Sequence, residues 1–538
     1  MTINKILLKY QKQVVSLYFI FLFLSCWRII GDFGVTLDDE HYYINGLNTY
    51  FYVKNFFLSI FNNDIDLSYF KSRIKEWPIV FEFILVIFSK LLNSTEYEEI
   101  YLLSHRLNFI IFFLSLILFF KLILKRFENI FLSICAVTFL MFSPRIFAES
   151  FYNSRDIFFM SLFIFYIYWA NEFIKRNNTI NTVLFSFFSA LLINTKVISL
   201  IPFGLFLILY FYNYLNTKNK FFKNYKRFIL YLFFTIFFIF ILWPYLWSNP
   251  FSNLFFAFKN IIKDHSAVTV VNYYFGSYYS SDMMAWHYRL VWFLITTPIF
   301  VLILFSIGFS YALLKLFNYL KQSLNDEFEL NQKKFLDIFL LLTLILSFII
   351  VVEFTKSKFG GWRHVYFLFP VIIYFSIYAL NQLERIKFKK DIQYLIFFLI
   401  SINLIYNLSW IIKNHPHQYV FFNIFSKNYA LKNFDLDWWG ISHKSSLEYI
   451  LKNDKNIDIK VFAEGFTSLR DSYLYLKKED RKRIILSDFK NSNYIINNKM
   501  KRIRVNNHLE NNKEFKLYYE LLIDKHAVTS IYKRKLIK

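Results

Sequence analysis

A succession of long apolar runs dictates what this chain can fold into. The runs lie near residues 13–30, 106–124, 127–143, 156–174, 180–195, 197–215, 228–247, 288–317, 335–354, 364–381 and 392–412. Each approaches the ~20 residues a helix needs to cross a hydrocarbon core of about 30 Å, so about eleven transmembrane helices are expected. Composition agrees: 56% of the 538 residues are hydrophobic and 72 are Phe, which marks an integral membrane protein. A net charge of +24 is compatible with a nucleic-acid partner, but the basic residues fall mostly in short loops between apolar runs. Membrane orientation and anionic lipid explain them better, and no nucleic acid is expected. Cys26 and Cys135 sit in different apolar runs, which supports neither a disulfide framework nor a metal site. Lys5, Lys9 and Lys12 precede the first run, with no small-residue cleavage site after it, the pattern of a retained signal anchor.

Every second loop is basic: Lys121, Lys125 and Arg126; Lys175 and Arg176; Lys218 to Arg227; Lys321, Lys333 and Lys334; Arg385 to Lys390. The positive-inside rule makes these loops and the N-terminus cytoplasmic. Pro78 to Leu92 is short, begins with proline and carries Glu82 and Lys90, so it is expected as an interfacial helix within a long outer loop, residues 31–105. After Lys413 long apolar runs stop and short alternating segments begin, at Ile457 to Phe462, Arg483 to Leu486, Tyr494 to Ile496, Arg502 to Val505, Lys516 to Leu522 and Ala527 to Tyr532. With a helix at Ser442 to Asn453, these predict a small α/β domain outside the membrane. The expected organisation is therefore an all-α polytopic membrane domain, residues 1–412, followed by an extracytoplasmic α/β domain, residues 413–538.

Asp38, Asp39 and Glu40 follow the first run closely, and three carboxylates beside a membrane span are costly unless they bind something. A structural reading competes: Thr36 is a good helix N-cap and Asp39 falls three residues later, as in a capping box. The topology collects the unusual polar residues on the same outer face, including Ser143 to Asp156, Asn194 to Lys196, Ser248 to Tyr288 and Lys356 to His364. A binding or active site on that face is the simplest account. Asp156 could also be a helix-start charge paired with Arg155 or Arg145. Trp286 to Tyr288 and His415 to Gln418 fit an aromatic belt with helix-end histidines, or else a sugar or acceptor surface. Asp435-Leu436-Asp437 matches the Asp-x-Asp metal motif of nucleotide-sugar transferases, but it lies on the face where such donors are absent.

Asp39-Glu40-His41, His105-Arg106-Leu107, Ser143-Pro144 with Asp156, Asn194-Thr195-Lys196, and Trp362-Arg363-His364 with Pro370 occur in an order that resembles the GT-C superfamily of membrane glycosyltransferases, in particular the protein O-mannosyltransferase and aminoarabinose-transferase group. The likeness spans roughly residues 10–380. It implies a polyprenyl-phosphate sugar donor, membrane lipid as surroundings, and an acceptor hydroxyl or amine on a protein, lipid or glycan, in a bacterial inner (cell) membrane. It also implies Asp39 as general base with Glu40 beside it, Asp156 as a second acid, and Arg106, Arg363, His364 and Lys358 on the donor phosphate. A single base without a covalent intermediate predicts inversion, and a helix N-terminus would keep Asp39 ionised. His287, Tyr288, His415 and Gln418 are candidates for the acceptor or sugar surface. The likeness fixes no cofactor and leaves a divalent metal open, for which Asp39 and Glu76 could supply oxygen ligands. Trp77 departs from the lysine that the aminoarabinose branch carries there. Two other functions fit the same topology: a polytopic transporter or flippase, and a polymerase or ligase of lipid-linked glycans.

Overall fold

The computed structural model describes residues 11–61, 67–74, 77–176, 178–216, 225–267, 269–324, 331–354, 357–385, 390–465, 467–498, 500, 509 and 512–535. Among them, eight helices are long and apolar enough to cross a membrane: Gln11–Asp32, Tyr97–Phe127, Asp156–Lys175, Val197–Leu215, Ile299–Gln322, Gln332–Val352, Arg363–Glu384 and Tyr394–Lys413. A ninth arises if Ile130–Met141 and Pro144–Tyr152, bent by 68°, are counted as one broken span.

The expected eleven is reduced by length and by proline. Thr179–Ile193 has 15 residues and Tyr225–Ile241 has 17, or roughly 22 and 26 Å at 1.5 Å per residue, short of a ~30 Å core. Pro144 has no N–H for the Leu140 carbonyl, so the chain bends there. Pro298 splits the run 288–317 into Tyr288–Thr296 and Ile299–Leu324. Asn423 repairs that second break: its side chain donates to the Leu294 and Thr297 carbonyls at 2.6 and 3.1 Å, and its N–H to Ile295 at 2.9 Å.

Opposed charges lock the bundle at the helix ends bearing the basic residues. Arg126 places a fork on Asp337 at 2.8 and 2.5 Å, and the Tyr374 hydroxyl donates to the same carboxylate. Lys125 pairs with Glu172 at 2.7 Å. After the first span, Asp39–Ser59 packs on Val80–Leu91. Gly46 permits this contact, because a Cβ there would lie 2.7 Å from the Glu82 carbonyl oxygen. The 12-residue helix Val80–Leu91 is too short to span the membrane, in keeping with the sequence.

A feature the sequence left as loop is an antiparallel hairpin of β1 (Val271–Tyr274) and β2 (Ser277–Ser280), turned at Phe275 and Gly276, both with positive φ. The C-terminal segment forms the expected α/β unit. Its strands are β3 (Ile459–Glu464), β4 (Ile484–Leu486), β5 (Tyr494–Asn497), β6 (Phe515–Ile523) and β7 (His526–Arg534), in the order β4-β3-β5-β7-β6. β3 runs parallel to β4 and β5, whereas β7 is antiparallel to β5 and β6. The helix Ser442–Asn453 covers the sheet, with Leu447 and Ile450 in a common core with Val461 and Ile496. The expected strand at Arg502 to Val505 lies outside the described residues.

Candidate active site

The acidic stretch opens the helix Asp39–Ser59. The backbone N–H of Thr36 donates to Asp39 Oδ2 at 2.7 Å. The helix N-cap is Asp38, with no side-chain capping bond, so the capping box weighed from sequence does not form on Thr36. Asp39 lines a cleft of about 250 Å³ with Tyr42, Glu82, Tyr101, Ser104 and Ser154. Burial, and then the Asp471 carboxylate, push the Asp39 carboxyl well above its usual range, outweighing the Thr36 bond that lowers it. The expectation that the helix dipole keeps Asp39 readily ionised is therefore reversed. The result is a more basic carboxylate.

Asp471 belongs to the C-terminal α/β unit, on the short helix Arg470–Leu474. Its Oδ1 accepts the Glu40 N–H at 2.8 Å and the Tyr101 hydroxyl at 3.2 Å. Burial pushes its own carboxyl up to about 6. The neighbouring Arg470 grips the Glu40 carboxylate through two bonds of 2.5 and 2.8 Å. Glu40 is thus held by an ion pair rather than facing the cleft with Asp39.

A second group assembles behind the first. Asp156 begins the helix Asp156–Lys175 and is 2% exposed. Its Oδ2 takes Arg363 Nη1 at 3.3 Å and the Asn153 amide at 3.0 Å, and its Oδ1 pairs with Lys196. Neither Arg155 nor Arg145, the partners weighed from sequence, binds it. Arg155 instead pairs with buried Glu82 at 3.0 Å and lies 4.0 Å over the Tyr42 ring. The Tyr42 hydroxyl reaches Asp38 at 3.4 Å. Tyr42, Arg155 and Glu82 therefore join the Asp39 cleft to the Asp156, Lys196 and Arg363 group.

Arg363 also stacks on Trp439 at 4.3 Å, with Phe359 at 5.4 Å. Gly360, at φ +64°, makes room: a Cβ there would sit 2.5 Å from Arg363 Nε. His364 packs edge-on to Phe359 at 5.3 Å.

Other residues singled out from sequence do not gather at this site. Arg106 is exposed on its helix, 5.6 Å from the Trp27 ring. A half-helical-turn offset from Tyr101 and Ser104, which do line the cleft, turns it away. The Lys358 ammonium lies 3.4 Å from the Met284 carbonyl and its backbone N–H bonds the Ser281 carbonyl, so it ties down the β1–β2 hairpin. Tyr288 is fully buried; its hydroxyl accepts the Gly361 N–H at 3.0 Å and donates to Asn272 at 3.3 Å, which removes it from any sugar surface. His287 pairs with the Tyr274 hydroxyl at 2.8 Å. His415 bonds Asp32 at 2.8 Å, and buried Gln418 donates to the Ile411 carbonyl and to His415 at 3.0 Å each, so both fasten a helix end rather than face an acceptor. Glu76 lies outside the described residues, and among those described no group of three or more His, Cys, Asp or Glu could hold a metal ion. Asp437 caps the helix Ser442–Asn453, accepting the Ile441 and Ser442 N–H groups at 3.0 and 3.1 Å, so Asp435-Leu436-Asp437 is not a metal motif.

Sequence reasoning passed over Glu82, Arg155, Arg470 and Asp471 as site residues, and took Lys196 only as part of a landmark. A lone acid in an apolar run is a legible signal, and Glu82 carried it. Arg470 and Asp471 carry none, because only the tertiary fold brings them to Glu40.

A second cleft, of about 390 Å³, is lined by Trp439 and Gly360, both of which touch Arg363. Its walls include Arg145, Glu149, Trp292, Gly360, Asp435 and Trp438. The Asn153 amide connects the two, donating to Glu149 at 2.6 Å and to Asp156 at 3.0 Å.

No family model and no curated protein matches the sequence. Among solved structures, the chain is similar to ArnT from Cupriavidus metallidurans in the apo state, with a TM-score of 0.47 and 11% identity over 97% of this chain and 98% of that one. It is likewise similar to the same protein bound to undecaprenyl phosphate, with a TM-score of 0.47 and 12% identity over 96% and 97%.

Proposed function

We propose that this protein is an integral membrane glycosyltransferase that moves a sugar from a polyprenyl-phosphate donor to an acceptor hydroxyl or amine on the extracytoplasmic face. The observation that carries the reading is the junction of a basic carboxylate, Asp39, with a bank of cations, Arg155, Lys196 and Arg363, at the ends of apolar helices. A lipid-borne phosphate needs this arrangement: its tail stays in the bilayer while its headgroup meets fixed positive charge at the rim. The resemblance noted in the sequence supports the same class.

The chemistry follows from charge. Asp39 takes the proton of the acceptor as its oxygen or nitrogen attacks the anomeric carbon. The bond from that carbon to the phosphate oxygen breaks, and the lipid phosphate departs with one more negative charge. Arg363, held flat between Asp156 and Trp439, and Lys196 stabilise that charge, and Arg155 adds to the field. One displacement at the anomeric carbon gives inversion. Asp156 acts by holding two cations in place before the donor arrives. In the proposed orientation the N-terminus is cytoplasmic, with the acidic cleft and the segment 413–538 outside.

The deciding experiment presents purified protein in lipid nanodiscs with a panel of polyprenyl-phosphate sugars and scores release of polyprenyl phosphate. Release that is lost in Asp39→Asn, with expression and insertion unchanged, supports the assignment. Full activity in that variant, or no release from any donor, counts against it.

A further inference from the structure

The cleft beside Trp439 contains a feature that its own fold does not explain. Arg145 Nε, Trp292 Nε1 and Asp435 Oδ2 are buried and have no hydrogen-bond partner among the described residues. All three belong to residues lining this one cleft. A buried polar atom left unpaired costs about 1–3 kcal/mol, so three in one place call for something that pairs them.

Their neighbours define its shape. Three indoles, Trp292, Trp438 and Trp439, line it together with Tyr419. The walls are fixed from behind: Trp438 stacks on Phe359 at 5.6 Å, Trp292 packs against Phe434 at 5.3 Å, and Arg145 lies 5.3 Å over Trp292. Asp435 Oδ1 is held by the Tyr273 N–H at 3.0 Å, which leaves Oδ2 as the group on offer. Burial pushes this carboxyl up to about 7, so near neutral pH it can either accept or donate a hydrogen bond.

Charge narrows the class. One guanidinium, Arg145, faces two carboxyl groups, Glu149 and Asp435. Glu149 is already bonded by Tyr366 at 2.8 Å and by Asn153 at 2.6 Å. A ligand bringing its own negative charge into this low-dielectric space is disfavoured. The matching ligand has an apolar C–H face to lie on indole, and neutral or cationic donors and acceptors around its edge.

We infer that this cleft binds the ring of a neutral or amino pyranose, with Asp435, Arg145 and the Trp292 indole reading its polar edge and Trp438 or Trp439 carrying its face. The inference rests on the glycosyltransferase reading for its purpose, but not for its test. The pyranose could belong to the lipid donor or to the acceptor, because the cleft touches the phosphate-facing Arg363 through Trp439 and the Asp156 group through Asn153.

Ligand-observed NMR on the full-length protein in nanodiscs tests it, with methyl glycosides of neutral hexoses, hexosamines and hexuronic acids, and uridine as an aromatic control. A parallel arm compares the affinities of sugar-bearing and bare polyprenyl phosphate. Asp435→Asn keeps the acceptor for Tyr273 and so preserves the fold; Trp438→Ala removes a wall without touching that bond. The expected result is binding of a neutral or amino glycoside but not a uronide or uridine, weakened about tenfold in both variants, or a preference for sugar-bearing lipid that both variants abolish. The first outcome assigns the ring to the acceptor, the second to the donor. Binding and lipid preference that both variants leave intact, or uronide or uridine bound as well as neutral sugar, would overturn it. Release of lipid phosphate is read separately: its absence with sugar binding intact sinks the enzymatic reading alone.

Discussion

Arg470 holds Glu40 through two bonds, at 2.5 and 2.8 Å, and so fastens the C-terminal α/β unit to the first turn of the acidic helix. The Arg470 side chain is 60% exposed, and an ion pair so open to solvent adds little to stability, about 1 kcal/mol or less. Its effect is on position. Arg470→Ala is expected to leave the melting temperature nearly unchanged while lowering lipid-phosphate release severalfold, measured on the purified protein. An equal fall in stability and release would make the contact merely structural.

The base proposed at Asp39 would work only when deprotonated, and its carboxyl is raised above the ordinary range by burial and by Asp471. Activity should therefore fall away on the acid side at a pH higher than an exposed aspartate would give. Asp471→Asn removes a neighbouring negative charge, which favours the Asp39 anion. The acid limb of the pH profile of kcat should shift to lower pH in that variant; an unmoved limb would detach Asp471 from the base.

Asp471 also links stability to pH. Its folded carboxyl sits at about 6, against an ordinary 3.8, so the folded state binds more protons between those values. Stability then falls as pH rises through that window. Asparagine keeps the acceptor for the Glu40 N–H without the buried charge. Asp471→Asn should be more stable than the parent at pH 7, by at most about 3 kcal/mol, and should lose that advantage below about pH 4. Thermal unfolding in detergent across this range provides the check.

Removing the Asp156 carboxylate leaves Arg363 and Lys196 with an unbalanced charge. Asp156→Ala is expected to destabilise the protein by about 3–5 kcal/mol, seen as a lower melting temperature. Arg363→Lys should be milder on stability yet weaken polyprenyl-phosphate binding, because lysine keeps the charge but loses both the planar fork and the stack on Trp439. Binding of labelled polyprenyl phosphate separates the two effects.

Periodicity and length made the architecture legible: the apolar runs gave the helical bundle, and alternation after Lys413 gave the small sheet with its helix at Ser442–Asn453. Span count was read too high where Pro144 bends a run and where Thr179–Ile193 stops short, since hydropathy does not report where a helix breaks. In the site, charged residues at helix ends stood out, which is how Asp39, Asp156 and Arg363 were singled out. Arg106 stood out equally, but its position on the helix turns it from the cleft. His415, Gln418 and Tyr288 looked functional because polar groups at a membrane rim are uncommon; their work is to satisfy helix ends and a glycine loop. Asp471 and Arg470 were invisible, lying in an unremarkable stretch roughly four hundred residues from the helix they touch.

That separation has a consequence for how the protein is made. Glu40 leaves the ribosome 430 residues before Arg470, so the acidic helix waits without that partner through the insertion of every later helix. A chain stopped before Arg470 lacks the cation that grips the Glu40 carboxylate. The first turn of the acidic helix is therefore completed late in synthesis, by a residue far along the chain.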